Sequence, residues 1–84
     1  MMGCDFFGND LSNVQIRGED CGQKCATTLG CTHFTWSNYR RGTCWMKYGL
    51  VSKFDALAAP RDFICGVMGL IDNKLFIENC FRSI

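Results

Sequence analysis

The chain has 84 residues, enough for one domain, with 7 Cys and a near-neutral balance of 9 Lys+Arg against 8 Asp+Glu. No basic stripe stands out beyond Arg40-Arg41, so the electrostatic footprint of a nucleic-acid binder is missing. No apolar run approaches the roughly 18 residues of a membrane-spanning helix, and a core this small rarely supplies more than about 3–5 kcal/mol, so an added staple is expected.

In chain order, residues 3–16 read as extended: the apolar run Gly3-Cys4-Asp5-Phe6-Phe7-Gly8, a turn at Gly8-Asn9-Asp10, then Leu11, Val14 and Ile16. Residues 19–29 read as one helix. Glu19 and Asp20 complement the positive end of its dipole, and Gly30 follows Leu29 as a left-handed terminating residue would. Cys21 and Cys25, four apart, share a helix face that Leu29 extends. Residues 31–36 and 43–48 are β-branched and aromatic, and the polar loop Ser37-Asn38-Tyr39-Arg40-Arg41-Gly42 makes them a hairpin. A longer connection, 49–60, ends at Pro60, and 61–67 reads as the last strand of the compact unit. The remainder, 69–84, carries Leu75-Phe76-Ile77 and then Cys80, and reads more easily as a strand than as a helix.

Such a cysteine load points to disulfides, an oxidising compartment and hence an extracellular, secreted protein. A structural zinc site is disfavoured: Cys21 and Cys25 form the main close pair, and the single His33 cannot supply a second histidine. Met1-Met2-Gly3-Cys4 shows no basic n-region and no apolar h-region, so a signal peptide is not read within this sequence. Six cysteines allow 15 pairings. Joining Cys21 to Cys25 on one helix would constrain little, whereas each constrains more by tying the helix to the sheet. Cys31 can reach back to Cys25, Cys44 can reach Cys21, and Cys4 with Cys65 would then close the two ends of the unit.

These residues give the chain a resemblance to the PAN/apple family over about residues 3–67. The resemblance is carried by Cys4-Asp5-Phe6, Gly8-Asn9-Asp10-Leu11, the helical Cys21 and Cys25, and Gly30-Cys31-Thr32-His33-Phe34-Thr35-Trp36. Gly42-Thr43-Cys44-Trp45-Met46-Lys47, Gly49 and Cys65-Gly66-Val67 complete it. It implies an α+β fold, a small disulfide-rich antiparallel sheet with one helix packed across it. It also implies two inner disulfides from helix to sheet and a third joining the termini, in agreement with Cys21–Cys44, Cys25–Cys31 and Cys4–Cys65. The family resemblance further implies protein or carbohydrate binding, with no shared catalytic residue and no cofactor. The expected organisation is a domain over 1–68 and a tail over 69–84 that adds a strand or contacts another chain. Cys80 is left over from the six-cysteine pattern, and with Leu75, Phe76 and Ile77 it is the candidate inter-chain element.

Little in the sequence suggests catalysis. Cys21-x₃-Cys25 is not the C-x-x-C of a thiol oxidoreductase, and His33 reads as a half-buried strand histidine on the face of Cys31. No N-x-[ST] sequon occurs. Strand side chains alternate, so if Cys31 and Cys44 face the helix, His33, Thr35, Met46 and Tyr48 should accompany them. Thr32, Phe34, Trp36, Trp45 and Lys47 should then lie on the opposite face. That aromatic face is too large to leave bare. Three readings are open: Phe54 and Leu57 of the 49–60 connection cover it, it is a ligand platform, or the tail or a neighbouring subunit covers it. Tyr39, Arg40 and Arg41 add an exposed tip with stacking and hydrogen-bonding capacity. The sequence therefore supports a non-catalytic extracellular recognition module for a protein or glycan. The alternative is a structural subunit that self-assembles into an extracellular polymer through its tail.

Overall fold

Alternating β-branched and aromatic residues in the middle of the chain build the framework on which everything else rests. The structure, a computed structural model, describes residues 1–71 and 74–78. In chain order it contains β1 (Cys4–Asp5), β2 (Asp10–Val14), α1 (Gly18–Ala26), β3 (His33–Ser37), β4 (Thr43–Lys47), β5 (Leu57–Ala58), β6 (Ile64–Ile71) and β7 (Lys74–Glu78). Five strands form one antiparallel sheet in the order β2-β4-β3-β6-β7, and β1 pairs with β5 in a separate two-stranded ribbon.

The sheet is covered on both faces. On the inner face, Cys21 and Cys25 of α1 pack on Phe34, Cys44 and Met46 of the sheet, with Trp36, Ile64 and Met68 at the margin. On the outer face, the N-terminal segment lays Cys4 and Phe6 against Cys65 and Val67, with Val51 and Ala56 alongside. The disulfides follow this layering. Cys21–Cys44 ties the helix to β4, Cys25–Cys31 fastens the end of the helix to the entry of β3, and Cys4–Cys65 pins the N-terminal segment on β6. From their sequence separations of 61, 23 and 6 residues, the chain-entropy relation assigns them about 4, 3 and 2 kcal/mol.

Several expectations change. The helix ends at Ala26, three residues short of the expected 29. The Thr27 and Thr28 hydroxyls donate to the carbonyls of Gln23 and Lys24 and compete with continuation of the helix. Leu29 is 98% exposed and does not extend the packing face. The strand expected over 61–67 runs over Ile64–Ile71, and residues 74–78 form β7 beside it, pairing Val67 with Glu78 through Ile71 with Lys74. Cys80 lies outside the described residues.

The larger correction concerns β3. Phe34 and Trp36 face the helix, whereas His33 and Thr35 face outward. The alternation does not reach back to Cys31, because β3 begins only at His33, after a turn in which Gly30 has φ 85°. Antiparallel partners directly opposite share a face, and Trp36 stands opposite Cys44 and Phe34 opposite Met46. Trp36 and Trp45 are thus on opposite sides of the sheet. Trp36 is a core wedge: its Nε1 donates to the Ile16 carbonyl at 2.7 Å. A Cβ at Gly18 would stand 3.2 Å from the indole and 2.7 Å from Ile64 Cδ1, so the start of α1 approaches the sheet only because residue 18 has no side chain.

Candidate binding groove on the outer sheet face

Lys47, Trp45, Thr35 and Ser37 project from β3 and β4 on the side away from the helix. Beyond them the N-terminal segment crosses the sheet, held by Cys4–Cys65 and by the Phe6 N–H donating to Thr35 Oγ1 at 3.0 Å. The segment does not extend over the whole face. Between it and the β3–β4 hairpin lies a groove of about 350 Å³ lined by Asp5, Phe6, Phe7, Gly8, Asp10, Thr35, Ser37, Tyr39, Trp45, Lys47 and Phe63.

The aromatic wall is rigidly built. Tyr39 and Trp45 stand with ring centroids 5.9 Å apart and ring planes inclined by 34°. Tyr39 opens a tight turn, Tyr39–Arg41, in which Arg40 (φ 51°) and Arg41 (φ 70°) both occupy the left-handed region. For residues with a side chain this conformation costs on the order of 1 kcal/mol each. The turn is held regardless: the Tyr39 carbonyl accepts from Gly42 N–H at 3.0 Å and from Thr43 Oγ1 at 2.7 Å, and the Tyr39 N–H donates to Ser37 Oγ at 3.3 Å. The Arg40 guanidinium lies over the Tyr39 ring, 5.4 Å from its centroid.

The polar floor is set by Lys47. Its side chain is 5% exposed, and its Nζ pairs with Asp10 Oδ1 and donates to the Gly8 carbonyl at 3.0 Å. Asp10 stands opposite Lys47 in the β2–β4 ladder, so the pairing of the strands brings the two charges together. His33 lies beneath, 1% exposed, edge-on to Phe6 with ring centroids 5.0 Å apart and with Nδ1 2.9 Å from Thr32 Oγ1. Burial, with the Lys47 ammonium adding to it, lowers its pKa to about 4, so the ring is neutral at physiological pH.

Of the residues expected on an aromatic platform, Trp45, Lys47 and Tyr39 meet in the groove, whereas Phe34 and Trp36 belong to the helix-side core. Arg40 and Arg41 are exposed and do not line it, with Arg40 over the Tyr39 ring. Phe54 and Leu57, expected to cover this face, are 85% and 56% exposed, and Phe6 covers it instead. Sequence reasoning missed Asp5, Phe6, Phe7 and Phe63 as neighbours of the hairpin. The signal available was the Cys4–Cys65 staple, which carries residues 5–8 across the sheet. Among the described residues no group of three metal-ligating side chains comes together, and no helix is long and apolar enough to cross a membrane.

The PAN domain family matches residues 4–47, more than half of the chain, and the chain belongs to that family. No curated protein and no solved structure matches it. PAN domains are in general non-catalytic modules that bind proteins or carbohydrates, and the family, together with three disulfides, points to an extracellular setting.

Proposed function

We propose that this chain is a secreted, non-catalytic recognition module that holds a protein or carbohydrate ligand in the outer-face groove, against Tyr39 and Trp45. One observation carries the reading: a concave, aromatic-lined space on a face that is otherwise closed, walled by a turn held in a strained conformation. Ligand sites are typically concave and mainly apolar with a few fixed polar groups, and aromatic anchors on rigid elements dominate recognition. The reading calls for no cofactor. Screening the folded protein against arrays of glycans and of displayed extracellular proteins tests it. Hits should be lost in Trp45→Ala, and hits unaffected by changes at both Trp45 and Tyr39 would place the ligand elsewhere.

A second reading, assembly into a polymer, is favoured by the position of β7, which carries Leu75, Phe76 and Ile77. It is an edge strand, with β6 on one side and no partner strand among the described residues on the other. An open edge is a template for pairing with a further strand. Sedimentation over a hundredfold range of concentration separates the readings: growth beyond a monomer that is lost on replacing residues 74–78 supports assembly, and a monomer throughout removes it.

A further inference from the structure

We propose that the groove takes a basic side chain, a lysine or arginine presented by a partner polypeptide; this rests on the groove being the ligand site. Five aromatic residues line it, and Asp5 lines it too. Among the described residues, Asp5 has neither an ion-pair partner nor a side-chain hydrogen bond. The charge of Lys47 is already matched by Asp10. The lining therefore presents one uncompensated carboxylate among aromatic faces, on the N-terminal side of the groove, while the exposed Arg40 and Arg41 lie on the hairpin side by Tyr39.

Aromatic faces carry negative potential and attract cations, and the Tyr39 ring already holds the chain's own Arg40 guanidinium. A lysine or arginine entering the groove lays its methylene stem along the aromatic walls and brings its head to Asp5, so each part of the side chain meets its complement. A sugar ring finds less. The Thr35 and Ser37 oxygens already accept backbone N–H groups, and the Lys47 ammonium is engaged by Gly8 and Asp10.

The test is an NMR titration of the ¹⁵N-labelled protein with four probes: N-acetyl-lysinamide, N-acetyl-argininamide, the uncharged N-acetyl-norleucinamide and methyl β-galactopyranoside. At least one basic probe should shift the Trp45 indole N–H and the Tyr39 amide, and leave the Trp36 indole N–H in place. Asp5→Asn should weaken that probe about threefold or more, the scale of an exposed charge pair, and added salt should weaken it in the wild type. Trp45→Leu, whose fold can be verified by its own spectrum, should abolish the response. Norleucinamide matching the basic probes, or Asp5→Asn leaving them unchanged, overturns the proposal. A response to the galactoside alone refutes the basic side chain and leaves the groove as the site. Basic probes that shift only resonances outside the groove refute both, and silence from all four refutes the basic side chain.

Discussion

The two tryptophans, alike in a linear reading, should differ in what truncation costs. Trp36 is packed between the start of α1 and the hairpin, with its Nε1 bonded to Ile16. Trp36 is partly buried against the helix-side core, so Trp36→Ala removes roughly 150 Å² of buried apolar surface, about 4 kcal/mol at 25 cal/mol per Å². It also leaves the Ile16 carbonyl without its donor, which adds about 1 kcal/mol. Partial collapse of the site offsets some of this, so about 3–5 kcal/mol is expected. Trp45→Ala removes an indole whose ring contact is with the half-exposed Tyr39, and about 1–1.5 kcal/mol is expected. In a domain this size each kcal/mol moves the melting temperature by about 4–8 °C. Trp36→Ala should therefore melt at least 12 °C below the wild type (about 3 kcal/mol at the lower slope) and Trp45→Ala about 4–12 °C below it, so that at any one slope the Trp36→Ala shift is about twice as large or more. Paired urea and thermal unfolding of oxidised protein measures both. A Trp45→Ala variant less stable than Trp36→Ala would refute the assignment of the two faces.

Other outcomes follow from the same packing. Full reduction should unfold the domain, since the disulfides at separations of 61 and 23 together contribute several kcal/mol to a core that supplies only about 3–5; circular dichroism unchanged in reductant would contradict this. His33 is buried neutral with its pKa lowered from 6.5 to about 4. The unfolded chain therefore binds the extra proton across that window, and stability is full above pH 6.5 and falls as the pH drops towards 4. The loss should reach about 3 kcal/mol, and denaturant midpoints between pH 7 and pH 4 should show it diminished in His33→Gln. Asp10→Asn strips the carboxylate from the buried Lys47 ammonium and should cost about 1–3 kcal/mol, while Lys47→Met together with Asp10→Asn should recover part of it.

The fold was legible where residue type and spacing act locally. Cys21 and Cys25 on one helix face, a β-branched hairpin around a polar loop, and a staple from Cys4 to Cys65 define α1, β3, β4 and the layering. The site was half legible. Trp45, Lys47 and Tyr39 lie in the hairpin and needed only its existence, but the face of Trp36 needed the register. Counting alternation from Cys31 gave the wrong face because the chain turns between Gly30 and β3. Counting from the loop gives the right one: Ser37 opposite Thr43 puts Trp36 opposite Cys44. The contributions of Asp5, Phe6, Phe7 and Phe63 were hidden because they come from segments whose route over the sheet is set by tertiary packing. The exposed Phe54 and Leu57 show the converse, since hydrophobicity alone did not say which connection would cover the face.

Ligand binding in the outer-face groove is tested most directly by the affinity of the first ligand recovered by screening, for three proteins of verified fold. These are the wild type, the double variant Tyr39→Ala with Trp45→Ala, and Leu29→Ala, which alters an exposed side chain that does not line the groove. Loss of about 2 kcal/mol or more in the double variant, with Leu29→Ala binding as the wild type does, is the predicted result. Equal affinity for all three would contradict the central claim.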